Sequence, residues 1–350
     1  MWRAFVSKVI PCLLAILAAS TVHPQPSPSP QLVFWITPWG ESFDPDRFPE
    51  YAVPGVVVAY DAECGLCTPT LRQWFEKSLS LIQRFRSQGR EVFINFFCEK
   101  YVPSWSWRGY LREVVLPGEI VRGIASAIGD GRGAYLGFSE LTSCVNSPEC
   151  RDRLVELYDT LRAAFPGAKL YYYGSGGDSV EALRDLYMRA RLDLVGLDFW
   201  EYSWTPQGVT VKDHLVAKLK ALALSVGWNA TIVGEVGFRV DDAEAYVEPW
   251  NWSRKRVLDE GADARYYYQV LTDLLYGKNA RPAYIGVWSW NDGVFAVKEE
   301  EDSLEAIASA LSRKIPDSRA PQTPVALLLV AATLVFLLLV LRLKKHQART

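Results

Sequence analysis

The stretch 231–237 reads TIVGEVG, a short apolar run with one acid, Glu235, near its end. Short runs bounded by glycine and rich in β-branched residues are typical of strands buried on both faces. Seven more runs of this kind lie on either side of it. We therefore predict strands at 32–37, 56–60, 91–97, 134–140, 169–173, 192–200, 231–237 and 283–290.

Helical stretches separate these runs. They cover 69–88, 116–128, 148–165, 179–191, 211–226 and 262–276, and a last one covers 303–312. Continuously apolar strands that alternate with helices predict an α/β fold with a parallel sheet covered by helices. Eight such strands favour closure into a (β/α)8 TIM barrel over residues 32–314. An open doubly wound sheet is the alternative, but no Gly-x-Gly-x-x-Gly follows the first strand.

The N-terminal segment has the pattern of an export signal. Residues 1–22 begin with Arg3 and Lys8, continue as a short apolar run and end in small residues. This order of basic, apolar and small residues is typical of a secretory signal. The Pro/Ser segment 23–31 that follows cannot form helix or sheet, so we expect a stiff linker.

A second apolar segment lies near the C-terminus. Residues 325–341 carry no charge and precede a basic tail at 342–350. About 17 apolar residues are the lower limit for a helix that crosses a bilayer, and basic residues stay on the cytoplasmic side. We therefore expect a single-pass protein of the cell membrane with the lipid bilayer as a partner. Its barrel would lie outside the cell, joined to the transmembrane helix by the linker 315–324.

Charge and histidine content exclude several functions. The formal net charge is −2 and no long basic run lies outside the tail, so nucleic acid is not expected as a partner. Of the three histidines, His23 lies near the leader and His346 in the tail, which leaves His214 in the domain. A His-rich metal site or a Ser-His-Asp triad therefore lacks its residues, and we expect no metal or other cofactor.

The cysteines of an exported domain are expected to form disulfides. Cys144 and Cys150 close a small loop and are predicted to pair. Cys64 and Cys67 form a Cys-x-x-Cys motif, which could also indicate zinc binding or redox chemistry, although one such pair is a weak zinc signal. Five cysteines follow the leader, and this odd number leaves one thiol unpaired among Cys64, Cys67 and Cys98.

Two glutamates end predicted strands. Glu140 ends the fourth strand, and Glu235 lies near the end of the seventh. Working residues of (β/α)8 barrels lie at the C-terminal ends of the strands, so these two carboxyl groups can flank one bond. Retaining glycosidases need two carboxyls about 5–5.5 Å apart. The pair therefore predicts hydrolysis of glycosidic bonds.

Aromatic residues at strand ends support a sugar site. The chain has 13 tryptophans, and flat aromatic faces stack on pyranose rings. Near the predicted mouth, Asp198 could bind hydroxyl groups. The tryptophans that we predict to bind an oligo- or polysaccharide substrate are Trp35, Trp39, Trp200, Trp288 and Trp290. The alternative is that several of them pack the loop layer.

These motifs resemble clan A of the glycoside hydrolases. The clan carries its acid/base glutamate after strand four and its nucleophile after strand seven, positions held here by Glu140 and Glu235. Trp288 matches the strand-eight tryptophan that forms the floor of the sugar subsite. Within the clan, the stretch 235–239 followed by Pro-Trp at 249–250 is similar to the β-mannanase-like branch. The resemblance implies a retaining hydrolase of β-linked glycans.

The chain departs from the clan at one position. The clan usually has an asparagine before the acid/base, where it holds the sugar 2-hydroxyl, and this chain has Ser139. Serine can still donate one hydrogen bond, so Ser139 remains a substrate-binding candidate. Clan members also place a tyrosine near the nucleophile from around strand six, a role that we assign to Tyr202.

Two alternative functions stay open at this stage. Ser139 favours a catalytically silent barrel, a carbohydrate-binding surface protein that keeps the fold. A different enzyme class could instead use the acids that follow strand six, Asp198 and Glu201.

Overall fold

A computed structural model describes residues 29–99, 114–200, 202–205, 208–237, 240–241, 244–246, 255–257, 262–293, 297 and 301–313. By its internal contacts the chain divides into two compact units, Met1–Ser312 and Arg313–Thr350. The predicted signal segment, transmembrane helix and basic tail lie outside the described residues. Among the residues that are described, no helix is both long and apolar enough to cross a membrane.

Eight parallel strands form a closed barrel, which confirms the predicted fold class. Each strand pairs with its neighbours in sequence, and the first pairs with the last: Gln31 lies beside Tyr284. The strands are β1 Gln31–Ile36, β2 Ala52–Asp61, β3 Val92–Glu99, β4 Ala134–Ser139, β5 Lys169–Gly174, β6 Leu194–Leu197, β7 Thr231–Val236 and β8 Tyr284–Val287. Every predicted strand is present, with ends shifted by a few residues.

The helices connect successive strands. They are α1 Pro69–Ser87, α2 Gly118–Ile128, α3 Thr142–Asn146, α4 Pro148–Ala164, α5 Val180–Ala190, α6 Asp213–Val226, α7 Ala262–Thr272 and α8 Glu301–Ser312. Side-chain oxygens begin three of them: Thr68, Ser147 and Ser179 each accept a backbone N–H from the first turn. The sequence analysis missed the short helix α3.

Shorter strands lie beside the barrel. Tyr202–Thr205 and Gly208–Val211 form an antiparallel hairpin after β6. Val240–Asp241, Glu244–Tyr246 and Lys255–Val257 form a small antiparallel sheet after β7. Both therefore follow the C-terminal ends of barrel strands, where the loops of this fold carry its chemistry.

Two hydrophobic clusters hold the structure together. The larger one lies between the outer face of the barrel and the helices. The smaller one contains Val33, Trp35, Val57, Phe93, Tyr135, Tyr171, Tyr173, Leu194 and Ile232. Side chains of a strand alternate between its two faces, so these residues, which come from seven of the eight barrel strands, fill the barrel interior.

The disulfides settle the open cysteine question. Cys144 bonds to Cys150 as predicted, with an S–S distance of 2.05 Å. Cys64 and Cys67 also bond to each other, which excludes the zinc alternative for this pair in its oxidised form. Cys98 is buried and, in the described part of the chain, forms no disulfide.

Candidate active site

Three carboxyl groups meet at the C-terminal end of the barrel. Glu140 follows β4, Asp198 follows β6, and Glu235 is the second-to-last residue of β7. An interaction with the Glu140 side chain lowers the pKa of Asp198. Glu140 also lies close enough to Glu235 for its charge to raise the pKa of Glu235. The three groups therefore form one acidic cluster, and both predicted catalytic residues belong to it.

The carboxyl group of Glu235 is buried and held by two donors. Its side chain is only 6% exposed. The Tyr173 hydroxyl donates to Oε1 at 2.7 Å, and the Trp200 indole N–H donates to Oε2 at 2.8 Å. Burial raises the pKa of Glu235 to about 8, the charge of Glu140 adds to the rise, and the two hydrogen bonds oppose it. The two hydrogen bonds therefore fix the orientation of the carboxyl group.

Tyr173 belongs to a hydrogen-bond network that crosses the barrel. The side-chain amide of Asn95, on β3, donates to the Tyr173 hydroxyl at 3.0 Å and to the Ser139 hydroxyl at 2.9 Å. Gly234 makes room for the Tyr173 ring, since a Cβ at that position would lie 2.1 Å from it. Asn95 is fully buried, so the network holds Ser139 and Glu235 in a fixed relation.

Glu140 leaves the strand geometry at the point where it joins the cluster. Its φ of 55° lies in the left-handed region, which side-chain-bearing residues rarely adopt. Its backbone N–H donates to the Tyr173 carbonyl at 2.9 Å. Strain of this kind, about 1 kcal/mol for a non-glycine residue, is concentrated at functional sites. The turn therefore marks the end of β4 as part of the site.

Asp198 is the third member of the cluster. It is 5% exposed, and a backbone hydrogen bond from Gly176 stabilises its carboxylate. Burial, the largest cause, raises the pKa of Asp198 to about 7; the interaction with the Glu140 side chain opposes the rise, and the charge of Glu235 adds to it. The sequence analysis assigned Asp198 to sugar hydroxyls. That role stays a prediction, and the structure places Asp198 beside the acid/base candidate Glu140.

Two of the predicted tryptophans stand at the mouth. Trp39 and Trp288 are partly buried and pack together with ring centroids 6.4 Å apart. Trp74 and Phe97 pack on the other sides of Trp39, at 5.5 and 5.8 Å. Trp200 also reaches the site, but its N–H is committed to Glu235.

Two other predicted tryptophans belong to the core, which corrects the sequence analysis. Trp35 is fully buried inside the barrel, where its N–H donates to the Gly234 carbonyl at 2.7 Å. Trp290 lies outside the barrel wall against Phe34 and Phe48, with centroids 5.5 and 5.0 Å away. Their strand-end positions are as predicted, but their side chains point into packed layers and cannot stack on a sugar.

Two residues of the candidate site were missed by the sequence analysis. Tyr173, at the end of β5, donates to the predicted nucleophile, a role that the sequence analysis gave to Tyr202. Tyr202 lies in the hairpin after β6, and its side chain lies outside the described residues. Asn95 was the second omission, although an amide inside the apolar run of β3 is a usable signal. Within the described part of the chain, no group of three or more His, Cys, Asp or Glu has the arrangement of a metal site.

Comparisons with known proteins yield structural similarity alone. No protein-family model matches the chain, and no curated protein matches it. A GH5_18 protein variant from Streptomyces cattleya, solved with Manβ1-4GlcNAc, is 13% identical with a TM-score of 0.50, over 82% of each chain. A xylanase from Cellvibrio japonicus is 13% identical with a TM-score of 0.48, over 81% of this chain and 97% of its own.

A class V chitinase from Pseudomonas fluorescens Pf-5 is 12% identical with a TM-score of 0.47, over 81% of this chain and 99% of its own. These solved neighbours are glycoside hydrolases with an eight-stranded parallel barrel. At such low identity the similarity concerns the fold, and any function has to be argued from the site itself.

Proposed function

We propose that this protein is a retaining glycoside hydrolase of β-linked glycans, with Glu235 as nucleophile and Glu140 as acid/base. The arrangement of Glu235 carries the proposal: both of its oxygens are held by donors, and a second glutamate lies within electrostatic reach. Double displacement needs two carboxyl groups in this relation. The fold of the solved neighbours agrees with it.

In the first step, a Glu235 oxygen attacks the anomeric carbon while the glycosidic C–O bond breaks. The leaving oxygen takes the proton of Glu140, and the sugar remains bound to Glu235 as an ester. In the second step, Glu140 accepts a proton from water, the water oxygen attacks the anomeric carbon, and Glu235 leaves as a carboxylate. The donors Tyr173 and Trp200 stabilise that carboxylate at the start and at the end of the cycle.

The same geometry supports a sugar-binding role for the mouth. Trp39 and Trp288 offer adjacent indole rings for a pyranose face. The Ser139 oxygen accepts the Asn95 amide, so its own hydrogen is directed to another acceptor. We assign that acceptor to the sugar 2-hydroxyl, the contact that asparagine makes in clan A. An oligosaccharide of the β-mannan type is the first substrate to test.

The experiment combines a substrate screen with chemical rescue. The purified protein should cleave at least one aryl β-glycoside or β-mannan with retention of configuration. Glu235→Ala should lose turnover, and azide should restore part of it as the inverted glycosyl azide. Wild-type rates in both Glu235→Ala and Glu140→Ala would overturn the assignment. Binding of oligosaccharides without cleavage by the parent would point to the silent barrel.

We also infer, from the composition of the terminal segments, that the barrel is tethered to the outer face of the cell membrane. Disulfides such as Cys144–Cys150 agree with an oxidising compartment. Protease added to intact cells should remove the barrel while sparing an epitope placed after Arg349. Loss of that epitope with retention of the barrel would reverse the orientation.

A further inference from the structure

Asn95 is a buried amide that the double-displacement scheme leaves without a role. It lies in the middle of β3, within the run VFINFFCE, and it is fully buried. Its nitrogen donates to the Tyr173 hydroxyl at 3.0 Å and to the Ser139 hydroxyl at 2.9 Å, so both of its N–H groups are used. Its Oδ1, by contrast, has no hydrogen-bond partner within the described part of the chain. Asn95 therefore acts on its surroundings as a donor.

The direction of these hydrogen bonds follows from the number of protons. The Tyr173 hydroxyl has one proton, and it lies 2.7 Å from Oε1 of Glu235, whose carboxylate can only accept. If the Asn95 amide were turned over, its oxygen would compete with Glu235 for that proton. In the observed orientation the amide is a donor instead, so the Tyr173 oxygen accepts from Asn95 and its proton is left to Glu235.

The Tyr173 ring is held so that only its proton can change direction. Trp35 packs against the ring with centroids 5.7 Å apart. Tyr171 stacks on it at 6.2 Å, with planes within 7°. Gly234 lies so close that a Cβ there would be 2.1 Å from the ring. A ring packed on these sides keeps its hydroxyl between Asn95 and Glu235, where the amide decides which neighbour receives the proton.

We propose that Asn95 is a positioning residue for the nucleophile: its donation to the Tyr173 oxygen directs the Tyr173 proton to Glu235. Through its second N–H it also occupies the Ser139 oxygen, which leaves the Ser139 proton for the substrate. This inference rests on the proposed function and deepens it. Asn95 touches neither the substrate nor the reacting atoms in this scheme, and both protons stay on their own oxygens. It acts through the two hydroxyl groups.

The other groups around Glu235 explain why the direction of one proton matters. Glu140, after β4, and Asp198, after β6, are acids whose charges disfavour the Glu235 carboxylate. On β5, burial raises the pKa values of Tyr171 and Tyr173, so both phenols stay neutral. The Tyr173 proton and the Trp200 N–H are the two side-chain donors that favour the ionised nucleophile among the described residues.

The first test is Asn95→Asp, which keeps the size of the side chain and replaces its donors with acceptors. The new carboxylate accepts the Tyr173 proton, so Glu235 loses a hydrogen bond to its charged form. A hydrogen bond of that kind corresponds to about 10- to 100-fold, and we expect kcat/KM to fall by that factor. The acidic limb of the pH profile should move to higher pH, because Glu235 then ionises at higher pH. An unchanged kcat/KM with an unchanged acidic limb would overturn the proposal.

A second background separates the direction of the proton from the charge of the new carboxylate. In Tyr173→Phe there is no hydroxyl proton to redirect. Asn95→Asp should therefore lower kcat/KM by a smaller factor in Tyr173→Phe than in the wild type. An equal factor in both backgrounds would assign the loss to charge repulsion alone, against the proposal.

Asn95→Leu removes both donors without adding a charge, and it decides the question if Asn95→Asp does not fold. Carbon-13 NMR of labelled glutamate carboxyl groups follows the ionisation of Glu235 without substrate, and Glu235→Gln assigns the signal. Glu235 should ionise at higher pH in Asn95→Leu than in the wild type, because a hydroxyl that accepts no hydrogen bond is a weaker donor. In Tyr173→Phe the same substitution should leave that pH unchanged.

This titration keeps the inference separate from the proposed function. Identical titration of Glu235 in Asn95→Leu and the wild type overturns the role of Asn95, even if Glu235→Ala abolishes turnover. A parent that cleaves no glycoside contradicts the proposed function, and the titration still gives its result.

The matched control is Ser78→Ala. Ser78 is also fully buried, but it lies on α1, where its hydroxyl donates to the Val57 carbonyl at 2.8 Å. Loss of this buried donor should lower the melting temperature and leave kcat/KM and the ionisation of Glu235 unchanged. If Ser78→Ala shifts the Glu235 titration as far as Asn95→Leu does, the effect of Asn95 is a general loosening of the barrel, and the proposal is overturned.

Discussion

The barrel interior has two layers that differ in chemistry. The lower half is a layer of packed aromatic rings, and the upper half, at the C-terminal ends of the strands, holds the acidic cluster. In the lower half, Phe93 and Tyr135 stack with ring centroids 4.2 Å apart and planes within 3°. In the upper half, Glu235 is also buried but carries a carboxyl group, and the charges of Asp198 and Glu140 lie near it. Two residues along a strand lead from the packed layer to the hydrogen-bond network of the acidic one, from Phe93 to Asn95 on β3 and from Tyr171 to Tyr173 on β5.

The difference shows where stability comes from and where it is given up. Burial of an aromatic side chain contributes about 1.5–3 kcal/mol, whereas burial of a charged group is unfavourable unless partners replace its hydration. The donors to Glu235 offset part of that cost, and its raised pKa shows that they do not offset all of it. The lower layer thus stabilises the platform on which the acidic cluster is held.

The largest expected effect separates activity from stability. Glu235→Gln should reduce kcat at least about 1,000-fold, because an amide cannot act as the nucleophile. The folded pKa of Glu235 lies above the unfolded value, so its contribution to stability falls as pH rises from about 4.5 towards 8. The melting temperature of Glu235→Gln should therefore exceed that of the wild type, by more at pH 9 than at pH 5, in calorimetry at both pH values.

The exposed acid Glu156 on α4 provides the control. Glu156→Gln should leave the melting temperature and its pH dependence nearly unchanged. A Glu235→Gln protein that melts below the wild type at pH 9 would contradict the inference that the buried Glu235 carboxylate destabilises the fold.

The complementary change lies in the lower half. Phe93→Ala removes a ring packed against Tyr135, Tyr171 and Trp35. We expect a loss of about 3–5 kcal/mol in the free energy of unfolding by denaturant titration. The kcat/KM of the molecules that remain folded should stay close to that of the wild type. The control is Leu224→Ala, at a residue 90% exposed, which should change the free energy of unfolding little. A large fall of kcat/KM in Phe93→Ala would show that the two halves are coupled.

Tyr173 joins the two halves, because its ring packs at 5.7 Å from Trp35 and its hydroxyl reaches Glu235. Tyr173→Phe keeps the ring and removes the donor. A hydrogen bond to a charged group contributes about 1.5–3 kcal/mol, which corresponds to about 10- to 100-fold in kcat/KM. The pKa of Glu235 should rise further, so the acidic limb of the pH profile should move to higher pH. An unchanged profile would mean that Tyr173 does not stabilise the carboxylate.

The smallest effect is expected at the rim, where a disulfide fixes the segment between α3 and α4. Closure of a loop as short as Cys144–Cys150 contributes about 2 kcal/mol in the chain-entropy model. The double variant Cys144→Ser, Cys150→Ser should lose about that much stability and keep the leaving-group dependence of the wild type. A change in that dependence would show that the rim orients Glu140.

Much of the site could be predicted because it depends on local pattern. The positions of Glu140 and Glu235 at two strand ends follow from short apolar runs and from the rule that barrels act at their C-terminal ends. Trp35 and Trp290 show the limit of the same reasoning. Both lie near strand ends, yet one fills the interior and the other packs on the outer wall. The position of a residue along a strand does not determine whether its side chain lies in the barrel interior, on the outer wall or at the mouth.

The sequence by itself determined the eight strands, the helices between them, the Cys144–Cys150 pair and the two glutamates. Each of these depends on periodicity or on residues near in the chain. Only the tertiary structure decided that Asn95, Tyr173 and Trp200 surround Glu235 and Ser139, and that Asp198 lies near Glu140. These contacts join residues from different strands, and their partners are set by closure of the barrel and by its stagger, which no local pattern encodes.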